Sequence, residues 1–167
     1  MPAAILKCER VSHPPLRFIG KRSDAYPNWG DAWANDWFGE IEKAGATAEI
    51  NDDSYCVLTG ITPEGVEFYL GEFFPANTPV PDGFDFADLP AMDAGIAYIK
   101  GKVEEVYALT VPDKISELLA AFASEGIAAS RRETSPRWIS FERDNCPRFT
   151  DPDADGNVIL DYAIYLN

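Results

Sequence analysis

Histidine is almost missing from this chain: His13 is the only one among 167 residues. A histidine-rich metal site or a Ser-His-Asp triad therefore has little material to draw on. His13 itself stands in Ser12-His13-Pro14-Pro15, which reads as an extended lead-in and not as a catalytic elbow. Cysteine is scarce too. Cys8, Cys56 and Cys146 lie far apart with no C-x-x-C pair, so they read as free thiols in a reducing compartment. Positive charge is in short supply, with 14 Lys and Arg against 28 Asp and Glu and a net charge of −14. Phosphate backbones and anionic leaflets both require a basic face, so direct nucleic-acid and membrane partners are excluded. No run approaches the 18 apolar residues of a membrane span, and the N-terminus is too short for a secretory signal. The expected location is cytoplasmic. Neither a Gly-rich phosphate loop, nor a G-x-S-x-G elbow, nor a helix-turn-helix is present, and no cofactor is expected.

What the chain does have is aromatic side chains, 13% of the residues. Residues 16–22 read as a first strand. Trp29, Trp33, Trp37 and Ile41 then recur every four residues with Gly45 as a stop, which predicts one helix carrying an aromatic stripe. Trp37, beside Phe38 and Ile41, is weighted toward the core. The N-terminal members of the ladder are expected to face a cavity. Residues 54–60 and 66–74 read as strands joined through Thr62-Pro63-Glu64-Gly65, and residues 75–83 as a Pro-rich connector.

The second half repeats this grammar. Residues 92–100 predict a strand, and a helix opens near Pro112-Asp113 and closes at Gly126. Its apolar set is Ile115, Leu118, Leu119, Phe122 and Ala123. Strands follow at 137–143 and 158–166. Strand, helix, strand, strand thus occurs twice, in pseudo-repeats of about 16–75 and 90–166 within one domain spanning 1–167. The fold class expected is α+β: duplicated β-α-β-β units forming one antiparallel sheet, with two helices packed against it and a central ligand groove.

In Trp138-Ile139-Ser140-Phe141-Glu142 strand alternation places Trp138, Ser140 and Glu142 on one face. An aromatic ring beside a carboxylate suits a cation. The competing reading pairs Glu142 structurally with Arg131, Arg137 or Arg143. Tyr98 and Tyr107 flank Gly101, Tyr69 lies at the matching place in the first repeat, and Tyr98 is expected to pair with Tyr162 as pocket wall. The loop at 151–157 echoes the start of a calcium loop, but its twelfth position is Tyr162 and its flanks are strands, so it reads as a turn without metal.

Phe68-Tyr69-Leu70-Gly71, Val80-Pro81-Asp82-Gly83-Phe84, Leu89-Pro90-Ala91, Gly101 and Trp138-Ile139-Ser140-Phe141-Glu142 resemble, in order, landmarks of GyrI-like effector-binding domains. These SOUL-like modules also stand behind AraC-type and MerR-type DNA-binding domains. The resemblance covers nearly the whole chain. It implies a groove that binds small, often cationic and aromatic or amphipathic molecules, with Glu142 at the ligand-facing position. The expected role is a small-molecule binding module, with Glu142, Trp138, Trp29, Trp33, Trp37, Tyr69, Tyr98, Tyr107 and Tyr162 as its ligand-binding residues. Two alternatives stand beside it. Some stand-alone relatives resemble hydrolases of cyclopropane-containing compounds, in which the glutamate works with a tyrosine. Others resemble gyrase inhibitors, in which an acidic surface meets a protein partner. The sequence departs from the hydrolase pattern, since Asp144 stands where a tyrosine would follow Glu142.

Overall fold

The computed structural model describes residues 3–111, 114–129 and 137–166. Eight strands form one antiparallel sheet: β1 Ala4–His13, β2 Leu16–Ser23, β3 Ser54–Thr62, β4 Gly65–Pro75, β5 Asp85–Leu89, β6 Met92–Gly101, β7 Trp138–Asn145 and β8 Val158–Tyr165. Four short helices accompany it: α1 Trp29–Ala34, α2 Trp37–Glu42, α3 Val103–Ala108 and α4 Ile115–Ser124. The α+β fold is as the sequence predicts. Two strands and two helices more than expected are present, β1, β5, α3 and the division of the tryptophan helix.

The spatial order is β1-β6-β8-β7-β3-β4-β2-β5. Exchanging the two halves of the chain leaves it unchanged, because each half runs strand, strand, helices, strand, strand. The first strand of each half joins the other half: β1 pairs with β6, and β5 with β2. Two links then dictate the curvature. β1 and β2 stand first and seventh in the sheet yet are joined only by Pro14 and Pro15. Six flat inter-strand spacings would span about 29 Å, whereas three chain steps reach about 11 Å. The sheet must therefore roll until its margins approach. The link from β5 to β6, Pro90-Ala91, imposes the same closure on the other side.

Inside the roll lies a core that includes Phe18, Leu58, Phe73, Ile96, Phe141 and Tyr165, with Ile50 of a single 3-10 turn at Glu49–Asn51 packed against it. Outside, α1 and α2 cover β2, β3 and β4 through Ala32, Phe38 and Ile41. On the far side α3 and α4 cover β6 and β8 through Val106, Leu118 and Phe122. Between the helix pairs the outer face of the central strands is left open.

The tryptophan ladder is not one helix. Asn35 ends α1, and Asp36 takes a left-handed conformation at φ 50° before α2 begins. Asn and Asp tolerate that region and are weak helix formers, so the stripe breaks between Trp33 and Trp37. The expected start of the second-half helix, Pro112-Asp113, lies outside the described residues; α4 ends at Ser124, just ahead of Gly126 at φ 75°.

Gly20 and Gly71 face each other across β2 and β4. A Cβ on Gly71 would stand 1.9 Å from the Ile19 carbonyl oxygen, and one on Gly20 2.1 Å from that of Leu70. Backbone cannot rotate aside as a side chain would. Gly71→Ala is expected to cost about 3 kcal/mol, measured as a lower urea midpoint. An unchanged midpoint would show that the strands separate freely.

Candidate functional site

The open strip becomes a groove of about 960 Å³, within the range of small-molecule sites. Its floor is set by strand register. Thr59, Ser140 and Ile164 form one row, and Tyr55 stands opposite Asp144. Between them Glu142 lies beside Tyr162. One wall comes from the first half of the chain, with Tyr26, Trp29, Trp33 and Phe68. The other comes from the second, with Val103, Tyr107, Ile115 and Phe149.

The break at Asp36 decides which tryptophans reach the groove. Trp29 and Trp33 stack at 6.3 Å between ring centroids, and Trp33 meets Tyr55 edge-on at 5.0 Å. Trp33 remains 54% exposed at the mouth. Trp37, after the break, packs instead against the clusters around Phe38 and Ile41.

Glu142 is buried, yet among the described residues neither it nor Asp144 is bridged by lysine or arginine. The cations considered as partners are engaged elsewhere. Arg143 points to the inner face and pairs with Asp161 at 2.8 Å, and Arg137 pairs with Glu67 at 2.6 Å. Arg131 lies outside the described residues. The Tyr26 hydroxyl donates to Glu142 Oε1 at 2.5 Å and itself accepts from Trp29 Nε1 at 3.4 Å. Among the described residues Glu142 Oε2 receives no hydrogen bond. The Tyr107 hydroxyl has one proton, directed at Asp144 Oδ2 at 2.9 Å and Oδ1 at 3.1 Å. Burial pushes the Glu142 carboxyl above the usual carboxylate range, against the pull of the Tyr26 and Tyr107 hydroxyls. Burial also raises Asp144, and the neighbouring Glu142 raises it further. Both phenols are themselves pushed up, chiefly by burial, so they stay protonated as donors.

Of the residues expected in the pocket, Glu142, Trp29, Trp33, Tyr107 and Tyr162 line the groove. Trp138 does not. Thr59 faces Ser140 but Gly60 faces Trp138, so Ile139 is an extra residue in β7. That bulge reverses the alternation, as one inserted residue does in any strand. Trp138 turns into the inner core against Tyr69, 5.9 Å between centroids, in space that Gly60 leaves free. Tyr69 is buried there with it. Tyr98 pairs in register with Asp161, one residue from Tyr162, and so lies on the opposite face. Its hydroxyl donates to Glu9 at 2.5 Å. The expected Tyr98–Tyr162 pair is therefore split by the sheet.

Asp144 and Tyr26 were not anticipated. Asp144 follows from alternation after the bulge, two residues beyond Glu142. Tyr26 carries no periodic signal, because it lies in the segment between β2 and α1. In the 151–157 loop Asp153 Oδ1 accepts from the Asp155 and Asn157 amides, each at 2.9 Å, and Lys100 and Lys102 pair with Asp153 and the Asp155 carbonyl. Among the described residues no group of three or more His, Cys, Asp or Glu is arranged to hold a metal ion, and no helix is long and apolar enough to cross a membrane.

No protein-family model matches the chain, and no curated protein matches it by sequence. Solved structures do share its fold. The structure of SAV2435 bound to tetraphenylphosphonium superimposes with a TM-score of 0.65 at 10% identity, over 97% of this chain and 94% of that one. A Staphylococcus aureus MU50 protein provisionally assigned to transcription regulation gives 0.61 at 10% identity, covering 95% and 97%. The EcmrR C-terminal domain gives 0.56 at 12% identity, covering 96% and 97%.

Proposed function

We propose that this chain is a small-molecule binding module of the effector-domain type, and that its groove takes organic cations with aromatic or amphipathic bodies. One observation carries this reading: Glu142 is a buried carboxylate in an aromatic groove, and among the described residues its second oxygen has no hydrogen-bond partner and no lysine or arginine bridges it. A buried acid is costly unless paired, and a ligand cation is the partner that the site lacks. Trp29 and Trp33 line the same groove, aromatic surface of the kind that organic cations favour. The shared fold of SAV2435, a structure that holds tetraphenylphosphonium, and of the EcmrR C-terminal domain supports the assignment.

The test is a titration with tetraphenylphosphonium followed by tryptophan fluorescence. Glu142→Gln is expected to weaken binding about tenfold, since a charge-assisted contact is worth roughly 1.5 kcal/mol or more. Unchanged affinity would overturn the role of Glu142. The pH dependence has a definite sign. A cation pairs only with the ionised acid, and burial holds the Glu142 carboxyl above its usual range. Affinity should therefore rise between about pH 5.5 and pH 8.5, and flatten in the Gln variant. Tetraphenylphosphonium recovered intact after long incubation fits a binding module; its conversion would favour a hydrolase.

A further inference from the structure

Glu142 and Asp144 are successive groove-facing positions of β7. The Cα atoms of same-face neighbours on a strand stand roughly 7 Å apart. Each is held by a tyrosine from a different wall: Tyr26, ahead of α1, donates to Glu142, and Tyr107, on α3, donates to Asp144. Glu142 and Asp144 are only 6% and 5% exposed, and among the described residues Glu142 Oε2 has no donor. Hydroxyls satisfy acceptors but bring no counter-charge, so among the described residues the groove presents two acids and no lysine or arginine paired with them.

A ligand with one positive centre answers one of these acids and leaves the other buried beside it. A ligand with two centres at the strand spacing answers both. We infer that the preferred ligands are flat aromatic dications with positive centres about 7 Å apart, one resting on Glu142 and the other on Asp144, with the rings between the Trp29–Trp33 wall and Tyr107. This inference rests on the cation-binding reading and narrows it to a ligand class. Burial and the proximity of the two carboxyls favour retention of a proton in the empty groove, which a dication displaces more completely than a monocation does.

Two ligands with one skeleton separate the possibilities. Methyl viologen is a two-ring dication whose nitrogens lie about 7 Å apart, matching the strand spacing; 1-methyl-4-phenylpyridinium is its monocationic counterpart. Both are titrated calorimetrically at about 0.15 M salt, where the field of the acidic surface is screened within about 8 Å. The natural chain is expected to bind the dication at least about tenfold more tightly than the monocation. Asp144→Asn should bring that ratio to about one, the dication losing several-fold more affinity than the monocation, with an unchanged circular dichroism melt reporting an intact fold. Glu142→Gln should weaken both ligands. Equal affinities in the natural chain, or equal losses of both ligands in Asp144→Asn, overturn the dication inference. With monocation binding still dependent on Glu142, the broader reading would then stand. If neither ligand binds, or Glu142→Gln changes nothing, both fall.

Discussion

Asp161→Asn is expected to lower the melting temperature by about 10 °C, a loss of about 3–5 kcal/mol in a chain of this size. Asp161 is fully buried in β8 and collects two guanidinium groups. Arg143 reaches it at 2.8 Å and Arg148 at 2.6 Å. Arg143 is itself buried, and also donates to the Ile50 carbonyl at 2.9 Å and to the Tyr98 hydroxyl at 3.3 Å. Arg148 extends the network to Asp52 at 2.8 Å. Removing the Asp161 charge while keeping its shape leaves Arg143 cationic and uncompensated inside the roll, which is the expensive way to break a buried pair. Removing both members is gentler, so Arg143→Met combined with Asp161→Leu should recover part of the loss. Circular dichroism melts of the natural chain and the two variants decide the matter. A shift below about 2 °C for Asp161→Asn would mean that the network is no more than surface pairing.

The second large effect has the opposite sign. Glu72 lies buried in β4, where its Oε1 accepts only a long 3.4 Å contact from Asn51 and its Oε2 accepts nothing. Asn51 is occupied elsewhere, accepting from the Phe73 amide at 2.8 Å. Burial, with Glu42 nearby, pushes the Glu72 carboxyl up to about 8. Its folded value therefore exceeds its unfolded one, and the native state holds the extra proton between about pH 4.5 and pH 8. The stability associated with that proton is complete below about pH 4.5 and is lost as pH rises through about 8. Glu72→Gln is expected to stabilise the protein by about 2–4 kcal/mol at pH 9 and by little near pH 5. Urea unfolding at the two pH values measures the difference. Equal effects at both would show packing, not charge, to be responsible.

Much of this architecture is legible in the sequence because the long central strands alternate cleanly and both halves repeat one order. The margins are harder to read. β1 carries a bulge between Ile5 and Lys7 that strands Leu6 in solvent, so Ile5 and Cys8, three residues apart, share the outer face while Val11 packs inside. β5 is five residues long with only Ala87 and Leu89 turned inward, too brief to stand out after a Pro-rich connector. The site divides along similar lines. Glu142 and Trp29 could be placed by spacing alone. Trp138 could not, because a bulge is a property of the paired strands and leaves no mark in one of them. Asp144 could have been placed from Glu142 by counting two. Tyr98 and Tyr69 are large, polar-tipped side chains whose facing depends on register, and register is decided by partners far away in the chain.

The exchanged outer strands also govern when the molecule can close. Ala4 waits for Lys100 and His13 for Met92, while β6 itself awaits β8 near the end of the chain. A nascent chain leaving the ribosome can pair β2, β3 and β4 early, but cannot pair β1 until β6 has been made. Such distant contacts carry the loop-closure entropy that slows folding. Closure is expected to be a late event, with β1 zipping onto an almost finished roll.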